Sequence, residues 1–165
     1  MSAITIQTQS LVLVSQTKEE ARTQIDELSA SERACVSAAW LALLESSSAV
    51  DPWVHGFVMT LRTDGKVVGK CGYTGPPGLD GVVEIAYGVD PSYQGRGYAT
   101  EAAGGLVAYA FADSRIRLVC AHTFSEVNAS TRVLMKCGFQ KRGEVISPED
   151  GLVWRWERRN RATPA

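Results

Sequence analysis

The chain lacks several things, and each shortage removes a class of function. Neither sign of charge is in excess: 17 Lys and Arg stand against 18 Asp and Glu, a formal net charge of −1. With a pI of about 6.1, this argues against a broad footprint for nucleic acid or an anionic membrane, though not against a local basic pocket. Long apolar runs are missing too, and none approaches the roughly 20 residues that cross a bilayer. The opening MSAITIQTQSLVLVSQ has no basic segment followed by a continuous apolar core, so no signal peptide is evident. Cysteine pairing is absent. Cys35, Cys71, Cys120 and Cys137 form no CxxC motif and sit among apolar neighbours, the pattern of buried free thiols in a reducing cytoplasm. No repeat, linker or low-complexity stretch interrupts the sequence. What remains is an ordinary globular composition, 45% hydrophobic and 21% charged over 165 residues, which predicts one domain over residues 1–165 with a full core.

The hydrophobic pattern predicts the elements in turn. Leu11 to Ser15 reads as a short strand. Thr17-Lys18-Glu19-Glu20 has capping-box spacing, with Ala21, Ile25 and Leu28 following at helical intervals. Ser31 is placed to cap a second helix carrying Val36, Trp40, Leu43 and Leu44 on one face, a core stripe that leaves room for Trp40 to line a cleft. Trp53 to Leu61 and Lys66 to Tyr73 read as a hairpin about Asp64-Gly65. The loop Gly75 to Gly81 follows. Arg117 to Thr123 reads as a strand, and Asn128 to Cys137 as a helix stopped by Gly138. Phe139 to Ile146 and Leu152 to Arg158 pair across the turn Ser147 to Gly151, and the tail from Asn160 to Ala165 is expected to fray. The order implies an α/β fold with helices packed on its sheet.

The stretch from Val82 to Phe111 organises the rest. A strand rich in β-branched and aromatic residues runs to Asp90. The turn Gln94-Gly95-Arg96-Gly97-Tyr98-Ala99 follows, and a helix opens at Thr100. The first amides of a helix have no internal partner and carry the positive end of its dipole, so such a turn cradles an anion, here read as a pyrophosphate. Gly95-x-Gly97-x-x-Thr100 nearly spells a dinucleotide fingerprint, but Thr100 stands at its third glycine, antiparallel hairpins precede it and no βαβ unit follows. Strand alternation puts Glu84, Ala86 and Gly88 on one face and Val83, Ile85, Tyr87 and Val89 on the other. A carboxylate beside two of the smallest residues suggests an open groove, or else a carboxylate satisfied structurally.

The turn Gln94–Ala99 fits the (Arg/Gln)-x-x-Gly-x-(Gly/Ala) motif of the GNAT superfamily of acetyl-CoA-dependent N-acetyltransferases, and the chain resembles that family at three further points. Glu84 to Pro91 is similar to its fourth strand, and Glu101-Ala102 continues the pattern. Asn128-Ala129-Ser130 through Lys136-Cys137-Gly138-Phe139 resembles the Asn-x-x-Ser…Lys-x-Gly-Phe signature of the ribosomal-protein alanine N-terminal acetyltransferases, one residue short between Asn and Ser. The resemblance implies a mixed, mostly antiparallel sheet of six to seven strands with helices on both faces. It also implies acetyl-CoA as co-substrate, a primary amine on a small molecule or protein N-terminus as acceptor, and direct attack in a ternary complex. It asks for no metal, nucleic acid or membrane, and it is compatible with a homodimer.

Residue by residue, the resemblance assigns the pyrophosphate to main-chain amides of Gln94, Gly95, Arg96, Gly97, Tyr98, Ala99 and Thr100, with the Arg96 side chain adding charge or simply solvated. Val89 N–H would meet the oxyanion. Asn128 would hold the pantetheine amides or cap its helix. Glu84 is the candidate base, because an alkyl amine with a pKa of about 10.4 is mostly protonated at neutral pH. His122, one strand away, is a second candidate, while His55 reads as structural. The tyrosine that many relatives use toward the leaving thiolate is replaced by Leu134. Ser130 takes its place as a hydrogen-bond partner, since a hydroxyl is a far weaker acid than a thiol of pKa about 8.5. Two alternatives stay open: an acyl-CoA-binding sensor without catalysis, and a transferase using another acyl-CoA.

Overall fold

The computed structural model describes residues 3–34, 36–148 and 151–160. Eight strands form one sheet in the order β1-β2-β3-β4-β5-β6-β8-β7. They are β1 (Thr5–Gln7), β2 (Leu11–Ser15), β3 (Phe57–Leu61), β4 (Val67–Tyr73), β5 (Val82–Val89), β6 (Leu118–Phe124), β7 (Gln140–Ser147) and β8 (Gly151–Arg159). The sheet is antiparallel except where β5 runs parallel to β6. One strand more is present than the six or seven expected. The addition is β1, three residues whose sequence carries too little alternation to announce a strand, held by pairing with β2.

Among the described residues, five α-helices and one 3₁₀ turn (Pro91–Tyr93) accompany the sheet: α1 (Lys18–Asp26), α2 (Ala30–Ala34), α3 (Ala38–Ser46), α4 (Tyr98–Phe111) and α5 (Ala129–Lys136). Thr17 and Glu20 close the expected capping box on α1. The single helix expected from Ser31 is instead two. Ser29 caps α2 by accepting the Glu32 N–H. Ser37 turns its hydroxyl to the Trp40 N–H and starts α3, a local bond that competes with helix continuation. The strand expected from Trp53 begins only at Phe57, because Val54 and His55 donate to the Asp51 carbonyl in a turn that ends at Gly56 with φ of 78°.

α4 packs on the sheet through Ala102, Ala103, Leu106, Val107 and Ala110, all buried with Leu11, Leu13, Phe57, Met59, Val83, Ile85 and Val119. Gly105 permits this approach at one end, since a Cβ there would lie 3.1 Å from Ile6 and 3.2 Å from Thr8. Gly104, by contrast, faces open space, so only one of the paired glycines serves helix–sheet packing. α3 borders the opposite sheet face, where Leu43 reaches Gly75. α5 ends in a Schellman turn: Phe139 N–H returns to Leu134 and Gly138 N–H to Met135. Asn160 is not frayed, since its N–H donates to Arg117 and its amide to Ile116; residues 161–165, Cys35, and Glu149 and Asp150 of the expected last turn lie outside the described residues.

Candidate active site

The sheet divides at the only parallel pair among the described residues. β5 and β6 are in register at Val82–Leu118, Val83–Val119 and Glu84–Cys120, and no further. On its other side β5 stays joined to β4 as far as Val89. Thr74 N–H donates to Glu84 and Asp90 N–H to Val68. The main-chain groups of Glu84, Ala86 and Gly88 therefore face β4, and those of Tyr87 and Val89 face the gap left by β6. An unpaired strand edge of this kind accepts an extended ligand arm as an added strand.

Beside the gap lies a cavity of about 420 Å³. Its wall joins β5 at Tyr87, Gly88 and Val89, the glycine turn and the start of α4, and α5 at Ser130, Arg132 and Lys136. Gly95 and Gly97 have φ of 77° and 84°, the left-handed region where a side chain is strained. A Cβ on either would project into open space, so the glycines serve the backbone path and the access to it rather than packing. Gly97 is the N-cap of α4 and makes no side-chain cap. The first bond of the i to i−4 ladder comes only at Glu101 N–H to Gly97, so the amides of Tyr98, Ala99 and Thr100 open toward the cavity. Glu101 anchors this end by accepting from the Thr8 hydroxyl and the Ser10 N–H, both at 2.7 Å. The amide donors and glycine clearances suit a diphosphate, and the strand edge suits a pantetheine arm.

Of the residues singled out from sequence, Val89, Gln94, Gly95, Gly97, Tyr98, Ala99, Thr100 and Ser130 come together on this wall. Gln94 also donates from its side chain to the Val89 carbonyl. The Arg96 guanidinium lies 5.6 Å from the centre of the ring of Tyr93, itself a residue of the cavity wall. Asn128 is the cap of α5: its Oδ1 accepts the Thr131 N–H, and the Thr131 hydroxyl accepts the Asn128 N–H. The one-residue offset from the family signature thus has a structural counterpart. Thr131 is buried in the capping box, and Ser130 turns to the cavity.

Three features were not legible in this form. Tyr87 places its hydroxyl 3.1 Å from Ser130 Oγ; burial pushes its pKa up, which keeps the phenol protonated. Arg132 and Lys136 stand beside Ala129 and Val133 on the cavity face of α5, an i, i+3, i+4, i+7 pattern that the capping and core residues of the same helix obscure in the sequence. Glu84 does not stand alone, since its Oε2 lies 2.7 Å from His122 Nδ1 with both side chains about a third exposed or less. Glu84 is on the far side of β5 from the Tyr87 hydroxyl, bordering a cleft with Thr74, Asp80, Cys120 and Arg155. Next to it on that face, Ala86 opens into an apolar groove of about 330 Å³ with Trp40 and Gly72; the Trp40 indole is fixed by donating to Val54. Tyr87 borders both this groove and the 420 Å³ cavity. His55 is buried at the inner wall of that groove, its Nε2 2.8 Å from Ser47 Oγ, and does not reach the 420 Å³ cavity.

Residues 10–140 match the family model described as acetyltransferase (GNAT) domain. The chain belongs to the GNAT acetyltransferase family. N-acetyltransferase p20 of Bacillus licheniformis is 29% identical over 87 residues, 53% of this chain and 49% of that protein. YjdG of Bacillus subtilis, also described as an N-acetyltransferase, is 27% identical over 89 residues, 54% of this chain and 51% of its own. The chain thus spans about half the length of the curated relatives it matches. Among solved structures, the GNAT-family acetyltransferase from Bacillus anthracis superposes with a TM-score of 0.68 at 15% identity, covering 95% of this chain and 99% of that one. The ribosomal L7/L12 acetyltransferase RimL, solved with coenzyme A, gives 0.69 at 14% identity over 97% and 100%. Aminoglycoside acetyltransferase AAC(6')-Ib, solved with coenzyme A and kanamycin, gives 0.64 at 20% over 93% and 96%. Identities this low establish a shared GNAT fold.

Proposed function

We propose that this GNAT chain is an acetyl-CoA-dependent N-acetyltransferase that acetylates a primary amine by direct attack in a ternary complex. One observation carries the reading: the cavity at the start of α4 and the Glu84–His122 pair occupy opposite sides of one opened strand edge, with Tyr87 shared between the two openings. Acetyl-CoA supplies a thioester carbonyl open to attack and a thiolate leaving group. The amides of Gly95 to Thr100 grip its diphosphate, helped by Lys136 and Arg132, while Val89 N–H points into the gap where the oxyanion develops. The Asn128 side-chain amide donates to none of the described residues and is left for the pantetheine arm, and the Arg96 guanidinium, over the Tyr93 ring at the cavity wall, adds positive charge. The Tyr87 and Ser130 hydroxyls donate toward the departing sulfur.

The acceptor approaches from the other side, over Ala86 and Gly88, where small residues leave the strand uncovered. The Glu84–His122 pair removes its proton. The groove under Trp40 receives the body of a small amine or the first side chain of a protein N-terminus, the two acceptor types carried by the AAC(6')-Ib and RimL relatives. We place the protein in the cytoplasm, where Cys71, Cys120 and Cys137 stay reduced.

The test is thiol release from acetyl-CoA in the presence of phenethylamine, spermidine, kanamycin and alanine- or serine-initiated peptides. Turnover with at least one amine is expected. Coenzyme A binding without turnover across the panel makes the chain a sensor, and turnover only with another acyl-CoA changes the donor.

A further inference from the structure

We infer that His122 Nε2, rather than Glu84, takes the proton from the acceptor amine, and that Glu84 is the positioning residue that fixes the ring. This assignment rests on the acetyl-transfer reading above. Glu84 stands at the last in-register pair of β5 and β6, opposite Cys120. His122 lies two residues further along the same face of β6, where β5 has already drawn away, and its ring reaches back across the gap to Glu84. A carboxylate can only accept, so in the neutral ring the Nδ1 carries the hydrogen and Nε2 carries the lone pair. Nε2 has no hydrogen-bond partner among the described residues, and about a quarter of the side chain is accessible. Glu84 has one oxygen already engaged by the ring N–H. The arrangement is that of a base and its orienting carboxylate.

The charged groups around the ring are themselves engaged. Arg155 of β8, in register with His122, is held 2.8 Å from Glu157. Arg142 of β7 lies 3.9 Å from Glu157. Burial pushes the Cys120 thiol up to about 11, so it stays neutral across the assay range. Asp80, from the loop before β5, accepts the Val82 N–H. In the step itself, an ammonium proton passes to Nε2 and frees the nitrogen lone pair. That pair bonds to the carbonyl carbon, and the C–S bond breaks with its electrons on sulfur. The second nitrogen proton passes to the sulfur, and the imidazolium releases its own to solvent.

Two measurements test the assignment. In the protein without ligand, long-range ¹H–¹⁵N spectra read the tautomer directly, and with only two histidines in the chain a His55→Gln variant assigns the signals. The Nδ1–H form is expected for His122, moving toward Nε2–H in Glu84→Leu. In steady-state kinetics with acetyl-CoA and the best amine of the panel, His122→Gln should lose about 100-fold or more in kcat, within the span of acid–base catalysis. It should also lose the acid limb of the kcat/KM profile. Glu84→Gln, whose amide oxygen still accepts from Nδ1, should lose less, and Glu84→Leu should approach His122→Gln. Coenzyme A affinity should hold in all three, reporting an intact fold. A Glu84→Gln loss deeper than that of His122→Gln, an acid limb persisting in His122→Gln, or an Nε2–H ring in the wild type overturns the assignment. A wild-type protein that binds coenzyme A but acetylates nothing overturns the acetyl-transfer reading and this assignment together.

Discussion

Tyr87 supplies from a strand the phenol that α5 lacks. Leu134, at the position where many relatives carry tyrosine, is fully buried and packs the core. The hydroxyl beside Ser130 comes instead from β5. Removing either hydroxyl deletes one hydrogen bond near the sulfur, worth about 1 kcal/mol, or roughly fivefold in rate. Tyr87→Phe and Ser130→Ala are each expected to lower kcat by about that factor, with coenzyme A affinity retained, as steady-state kinetics and titration read separately. Away from the site, His55 has its pKa lowered, chiefly by burial. The unfolded chain then binds a proton that the folded ring resists, so stability is held above the ordinary histidine value of about 6.5 and lost as pH falls below it. Thermal unfolding should show a lower Tm at pH 5.5 than at 7.5, with the difference reduced in His55→Gln. The alternation that put Glu84 on an open face was legible because it is local. The contact with His122 was not, for it joins residues 38 apart and depends on where two strands stop pairing.

At the level of elements, the N-terminus of α4 is set by short-range rules and then located by long-range ones. Two glycines at positive φ shape the turn, and Glu101 ties the helix to the β1–β2 connection. Gly97→Trp places an indole where the cavity is open and strains the left-handed backbone; it should abolish coenzyme A binding while the protein stays folded, as calorimetry and circular dichroism read. Gly105→Leu should do the opposite. It overpacks the contact with Ile6, Thr8 and Leu13, lowering stability by roughly 1–3 kcal/mol in denaturant unfolding without touching the site. The capping box of α1 and the Schellman turn were readable in sequence because every partner lies within a few residues. The break at Ser37 and the late start of β3 were not, since a single serine hydroxyl and one turn overrode apolar patterns that looked continuous.

Across the whole molecule, the proposed reaction has one sheet keep two ligands on opposite sides of a seam. β5 is bonded to β4 from Glu84 to Val89 but to β6 only from Val82 to Glu84, and the proposed reaction assigns the opened part's main-chain donors to one ligand and its bare face to the other. The α/β class was legible from the order of elements, and the turn that opens α4 from its two glycines. The groove beside Ala86 was not, because Trp40, Gly72 and Ala86 belong to three elements that no motif links. Ala86→Trp should fill that groove and stop transfer to amines, with coenzyme A affinity unchanged.

The central claim is that open amides at the start of α4 hold a diphosphate and thereby aim a thioester at the gap beyond β5. Its most direct test is calorimetric titration of the protein with coenzyme A and, in parallel, with pantetheine, which lacks the diphosphate. The account predicts saturable heat with coenzyme A, none with pantetheine at the same concentration, and none with coenzyme A in Gly97→Trp. Equal affinity for both ligands, or undiminished coenzyme A binding in Gly97→Trp, would contradict it.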